Sequence, residues 1–280
     1  MDRRHFVHRS LGAAALLTYG GPIPLPALTP RFSAIDRWGL QLYTVRSLMA
    51  SNVEETLAHV ARIGYREVEF AGYFSRSPQE IRMTLEAENL VAPAIHLSLE
   101  EFRQNLEPAI EAATIIGHRH LVLPFLAAAD RPDIDGYQRL AGEMNRFGEA
   151  CHEAGLRFAY HNHDFELRAI EGVVPLDVLI DGTDPDLVTF EVDLYWMVHG
   201  GADPLDYFTR YPGRFELCHV KDRTRDGKMV DVGNGVIDFA EIFRHAETAG
   251  LTHYFVEHDT PDDALESVRT SFEYLASLRV

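Results

Sequence analysis

The chain has 280 residues, 46% of them hydrophobic and 25% charged, with 43 acidic against 26 basic side chains and a formal net charge of −17. That length suits one large domain, and the apolar fraction is enough for a sizeable core, which excludes a disordered chain. The acidic balance excludes a nucleic-acid surface built on a basic stripe, argues against adhesion to anionic membranes, and suits a solvated surface that also attracts divalent cations.

In chain order, the first segment stands apart. Arg3-Arg4-His5-Phe6 puts an arginine pair ahead of the short apolar run Leu11–Leu17, and a Pro-rich stretch follows to Pro30. A charged start, a short apolar centre and small residues describe an export signal, and the arginine pair resembles a twin-arginine signal. Residues 1–30 are therefore expected to be an export segment, handled in transit by the twin-arginine machinery and directing the protein to the periplasm or another exported location. The apolar run is too short to be a permanent membrane anchor. Residues 31–280 are expected to form a single domain, and nothing in them excludes an oligomer.

From residue 38 onward, eight short β-like runs alternate with amphipathic stretches. The runs are Trp38–Val45, Glu67–Ala71, Ala92–Leu97, His120–Phe125, Arg157–His161, Val188–Asp193, Phe215–Val220 and Tyr254–His258. Helical patterns cover Val53–Ile63, Pro78–Asn89, Glu101–Ile116, Tyr137–Ala154, Asp238–Ala249 and Asp262–Leu278. In the first of these, Val53, Leu57, Val60 and Ala61 fall at helical spacing with charge between them. Gly64, Gly117, Gly155 and Gly250 follow helical patterns directly before the next run, where a left-handed residue stops a helix. Eight strand–helix units predict an α/β fold, a single (β/α)8 TIM barrel. A doubly wound open sheet is the competitor, and the lack of a glycine-rich phosphate loop after the first strand counts against it. Cys151, in a helical pattern, and Cys218, in a strand, read as buried small hydrophobes with no disulfide implied.

In such a barrel the chemistry sits where strands run out into the following loops. Those positions here are polar. The first strand offers Gln41 and Tyr43, the second Glu69, the third His96 and the fifth His161 and His163. The sixth ends in Glu191 and Asp193, the seventh carries His219, Lys221 and Asp222, and the eighth ends in Glu257. Carboxylates and imidazoles converging from so many strands are costly to bury unless they bind a cation. His161, Asp193, His219 and Glu257, from strands five to eight, are the expected ligands of one divalent metal ion, with Mn, Co, Zn and Mg all suited to mixed N and O donors. Along Phe190-Glu191-Val192-Asp193, Asp193 is expected to face inward because it ends the strand, with Glu191 toward the helices or in a local ion pair.

At these residues the chain resembles the xylose-isomerase-like barrel family, which includes ketose 3-epimerases, inosose isomerases, inosose dehydratases and endonuclease IV. The resemblance runs from residue 38 to 280. In the epimerase branch Glu, Asp, His and Glu from strands five to eight hold one metal, and the two Glu also move protons. Asp193 in Phe-Glu-Val-Asp, His219 in Cys-His-Val-Lys-Asp and Glu257 in Phe-Val-Glu-His match three of these. The fourth departs: Phe-Ala-Tyr-His-Asn-His-Asp places His161 where the epimerases have Glu, and this run resembles strand five of the inosose dehydratases. The resemblance implies a metal-dependent sugar isomerase or epimerase acting by proton abstraction alpha to a metal-bound carbonyl. A lyase or dehydratase on a keto-sugar or keto-glycoside is the alternative, and a non-catalytic sugar-binding protein a third.

Glu257, His163 and Lys221 are the expected acid–base groups, with an ion pair to Asp222 as the competing role for Lys221. Tyr195, Trp196, Tyr43, Gln41, Glu69 and His96 are expected to contact the sugar, the aromatic ones by stacking. Gly233-Asn234-Gly235 reads as a tight turn before a helix capped by Asp238 rather than a phosphate cradle.

Overall fold

Eight parallel strands close into a barrel in the computed structural model, which describes Ile35 and residues 37–280. The export segment expected over residues 1–30 lies outside the described residues. The barrel strands are β1 (Gly39–Gln41), β2 (Glu67–Phe70), β3 (Val91–His96), β4 (His120–Leu123), β5 (Arg157–His161), β6 (Val188–Asp193), β7 (Phe215–Val220) and β10 (His253–Val256). Two short strands, β8 (Asp222–Arg223) and β9 (Met229–Val230), form an antiparallel ribbon in the loop after β7. Each barrel strand pairs with its neighbours in the chain, and Gly39 opposite Phe255 closes the ring between β1 and β10. Closure is what separates this fold from the open doubly wound sheet.

Helices fill every crossover, and their ends follow local chemistry. Ser77 caps the helix Pro78–Ala87 with a reciprocal Ser–Glu80 box, and Asp263 accepts two backbone N–H groups at the start of Ala264–Ser277. Gly64, Gly117, Gly155 and Gly250 all have positive φ, so the expected helix stops are where the sequence places them. The first strand is shorter than expected. The Gln41 side-chain oxygen accepts the Tyr43 N–H at 2.9 Å, and the chain turns there into the helix Arg46–Ser51. Three further helices, Pro175–Asp181, Leu194–His199 and Pro204–Arg210, lie outside the segments expected to be helical. Both cysteines are free and buried. Among the described residues no helix is long and apolar enough to cross a membrane.

Strand alternation divides the interior in two. Outward residues such as Val68, Phe70, Ile95, Leu121, Phe158, Phe190, Val192 and Cys218 pack under the helices in one large core. Inward residues Ala94, Val122, Ala159, Leu217 and Phe255 form a separate apolar layer across the barrel. Gly39 is part of that layer's geometry: a Cβ there would run into the Phe255 ring, so only glycine lets the ring fill the axis. Two residues further along the same strands the inward face continues as His96, His161, His219 and Glu257. The period of two thus stacks a polar layer directly on the apolar one.

Candidate metal centre and active-site cavity

His161 ends β5, Asp193 ends β6, His219 lies in β7 and Glu257 follows β10; all four are buried. One ligand atom from each can be chosen so that all four atoms lie within 4.8 Å of one another. His161 Nε2 is 3.1 Å from Asp193 Oδ2, and His219 Nδ1 is 2.8 Å from Glu257 Oε2.

The other nitrogen of each imidazole shows which tautomer the fold supports. His161 Nδ1 lies 3.0 Å from the Pro124 carbonyl oxygen, which can only accept, so this nitrogen carries the proton and Nε2 presents its lone pair to the cluster. His219 Nε2 lies 2.7 Å from Glu69 Oε2 and 3.1 Å from Glu191 Oε2, which leaves Nδ1 facing Glu257 and Asp193. That Nδ1 is buried and in no hydrogen-bond geometry despite its short distance to Glu257. Two oriented imidazole lone pairs and two buried carboxylates within one ion's reach are the donor set of a divalent metal, so the residues fit the expected ion.

Glu191 corrects the sequence expectation. Residues two apart on a strand share a face, so Glu191 points inward together with Asp193, and it is Phe190 and Val192 that turn to the helices. Its Oε2 is 2.9 Å from His96 Nε2 as well as 3.1 Å from His219. Glu69, held by the Gln41 amide at 2.8 Å, completes a ring in which two carboxylates alternate with His96 and His219. Gln41 and Glu69 therefore lie beneath the candidate metal ligands, fully buried.

The charges are strongly perturbed. Burial opposes ionisation of Asp193 and Glu257, but Lys221 and the surrounding imidazoles together outweigh it, and both carboxyls stay well below their ordinary range. Burial likewise opposes the charge on Lys221, yet Asp193 at 3.0 Å, Glu257 at 2.6 Å and Asp259 at 2.9 Å hold its pKa well above the usual lysine value. Lys221 pairs with these three and not with Asp222. His96 is lifted to about 9, because Glu69 and Glu191 overcome burial. His163 goes the other way, down to about 2, chiefly through burial, with the nearby Lys221 charge adding to it.

A cavity of about 450 Å3 opens over this layer, with Tyr43, His96, His161, His163, Lys221 and Glu257 on its wall. Asp193 and His219 sit below it with Gln41 and Glu69. Tyr195 is not on the wall: its hydroxyl donates to the Gly227 carbonyl at 3.0 Å and its ring stacks on His199. Trp196 packs behind His163, with ring centroids 5.2 Å apart, and Lys221 Nζ lies 5.9 Å from its ring centre.

Sequence reasoning missed Glu191, Asp259, Asn162 and Glu166. Asn162 Oδ1 accepts the Asp193 N–H at 3.1 Å. Glu166 is fully buried, accepts the His163 N–H at 2.9 Å and the Tyr160 hydroxyl, and is pushed up to about 7 chiefly by burial. A carboxylate among apolar neighbours was the available signal for Glu166; the others needed the fold. Asp222 accepts the N–H groups of Gly233, Gly235 and Ile237, and a Cβ at residue 235 would strike its carboxylate. Those amides are committed to the turn, and Asp238 caps the following helix through Glu241 N–H.

A family profile described as "Xylose isomerase-like TIM barrel" matches residues 57–278. Inosose dehydratase of Lacticaseibacillus casei is 28% identical over 165 residues, 52% of this chain and 54% of that protein, so the chain spans about half the length of this relative. Inosose dehydratase 2 of Bacillus cereus is 23% identical over 266 residues, covering 81% of this chain and 87% of that protein. The solved structure of a sugar phosphate isomerase/epimerase from Parabacteroides distasonis ATCC 8503 is 26% identical with a TM-score of 0.76, over 91% of this chain and 99% of the other.

Proposed function

The chain belongs to the xylose isomerase-like TIM-barrel family, and from that premise we propose that it is a divalent-metal-dependent enzyme that removes a proton alpha to a carbonyl of a sugar or keto-polyol. The observation that carries this reading is the convergence of His161, Asp193, His219 and Glu257 within 4.8 Å beneath an open cavity. These four residues would hold the ion, which when bound supplies the Lewis acidity that makes a neighbouring C–H removable.

The protein's own groups supply the rest. Glu257 stays ionised and lines the cavity, so it is the base for the alpha proton. Lys221 stays protonated and donates to an oxygen that gains negative charge. His163 is a neutral imidazole on the wall, able to donate or accept one hydrogen bond without carrying charge. Return of the proton to substrate gives isomerisation or epimerisation.

A second outcome, β-elimination of water or an alcohol, is favoured by a specific residue. With His161 in place of a carboxylate, the ligand set has Glu257 as its one glutamate, whereas epimerisation takes a base on each face of the carbon. Elimination takes one base and one acid at the leaving oxygen, and Glu257 with Lys221 supplies that pair. The dehydratase names of two relatives agree with this outcome.

Incubating the metal-loaded protein with keto-sugars and inososes in D2O separates the two. Deuterium gained at carbon with otherwise unchanged mass means isomerisation or epimerisation; loss of water or of an alcohol means elimination. A protein purified without chelators that neither contains nor takes up a divalent ion sinks the whole reading. We also propose an exported location, from the Arg3-Arg4 segment. Export that persists after both arginines are changed to lysine would remove the twin-arginine route.

A further inference from the structure

The proposed chemistry leaves the size and charge of the sugar open, and the cavity speaks to both. Its volume is about 450 Å3. A hexose fills about 200 Å3 at the packing density of an organic crystal, so space for a second unit of similar size remains. The rim is aromatic. Tyr43, on the turn after β1, and Phe125, just beyond β4, line the cavity and keep 42% and 51% of their surface exposed. Partly exposed aromatic rings at a polar cavity, with Arg46 covering one face of Tyr43, suit stacking of a remaining face on the C–H face of a pyranose.

A neighbouring hollow of about 620 Å3 shares Thr260 with this cavity. Asn234 and His258 stand on its wall, groups that hydrogen-bond hydroxyls, with four carboxylates, Asp231, Asp262, Asp263 and Glu266, against one lysine, Lys228. Both cations on the catalytic cavity's wall sit against electron-rich groups. Lys221 is held by Asp193, Glu257 and Asp259, and Arg46 lies over the Tyr43 ring at 4.0 Å and donates to the Tyr43 carbonyl oxygen. The amides of Gly233 and Gly235 are taken by Asp222. Among the described residues on the two walls, six carboxylates outnumber the lysine and arginine side chains Lys221, Arg46 and Lys228, a balance that disfavours a phosphate.

We infer that the substrate is an uncharged saccharide of two units, or a sugar ring bearing a group of comparable size, with the reacting ring over the ligand cluster and the second unit against Tyr43 and Phe125. The inference rests on the sugar reading above and adds its size and charge.

The test is calorimetric titration of the full-length, Mn2+-loaded chain with glucose, glucose 6-phosphate, maltose, cellobiose, lactose, trehalose and phenyl β-glucoside. The tightest two-unit ligand is expected to bind at least about tenfold more tightly than glucose. Tyr43→Ala and Phe125→Ala are each expected to weaken that ligand about fivefold, with glucose and Mn2+ affinities unchanged. Glucose 6-phosphate as the tightest ligand, glucose as tight as every two-unit ligand, or two-unit affinity untouched by both substitutions overturns the inference and leaves the sugar reading standing. Mn2+ binding with no binding of any of these ligands, nor of the keto-sugars and inososes above, overturns both.

Discussion

Both ends of this barrel carry histidines and carboxylates, yet they are built for different ends. At the N-terminal ends of the strands His253 pairs with Glu67 at 2.8 Å, and Glu216 pairs with His120 at 2.8 Å and Arg157 at 3.1 Å. Two carboxylates there meet three nitrogen bases. At the opposite end four buried carboxylates, Glu69, Glu191, Asp193 and Glu257, meet three imidazoles and a single ammonium, and a cavity lies above them. Residue type is the same at both ends. What differs is the number of buried carboxylates and the direction of the free lone pairs. A partly exposed cluster of two carboxylates closes the barrel, whereas four buried carboxylates with two oriented imidazole nitrogens call for a cation.

The largest effect that tests this contrast is at the ligands. Asp193→Ala is expected to lower divalent-metal affinity by at least about 10²-fold, since it removes one of four donors. Elemental analysis after dialysis reads this directly, and an unchanged metal content would erase the distinction between the two ends. Next comes the ring below. Glu191→Gln keeps the shape but alters the acceptor that orients His219 and His96, so metal affinity is expected to fall about 10- to 100-fold. If the fall is as large as for Asp193→Ala, Glu191 is itself a ligand.

At the N-terminal end of the strands the expectation reverses. Glu67→Gln strips a buried partner from His253 and is expected to cost about 1–3 kcal/mol of stability while leaving metal affinity unchanged. Chemical denaturation alongside metal titration checks both halves. A change in metal affinity would show that the ends are coupled.

The smallest effect concerns pH. The Glu166 carboxyl, ordinarily near 4.5, is pushed up to about 7 in the fold, mainly by burial. The folded state therefore holds this proton more tightly than the unfolded chain does. Its stabilising contribution is complete below the ordinary carboxylate range and is lost as pH rises through about 7. Glu166→Gln, which imitates the protonated form, is expected to flatten the decline in Tm from about pH 5 to about pH 8. A parallel decline in both proteins would assign the pH dependence to other groups.

Much of this was legible in the chain. Alternating runs, helix-stopping glycines and polar strand ends are local signals, and a (β/α)8 barrel with His161, Asp193, His219 and Glu257 near one another followed from them. Glu191 was misplaced by a misapplied period: two residues on the same strand, two apart, share a face. Asp259 lies in a loop, where no periodicity says which way a side chain points. Tyr195 shows the opposite failure, since an aromatic next to a ligand looks well placed until its hydroxyl is seen bonded to Gly227.

What the sequence determined by itself was therefore the order of elements and the chemistry offered at each strand end, because backbone propensity, capping and strand alternation act over a few residues. Only the tertiary structure decided which imidazole nitrogen faces the cluster, that Lys221 is held by three carboxylates, and that four carboxylates meet at one end of the barrel against two at the other. Those outcomes depend on pairs such as His219 and Glu69, 150 positions apart, whose separation is set by barrel closure and not by any local rule.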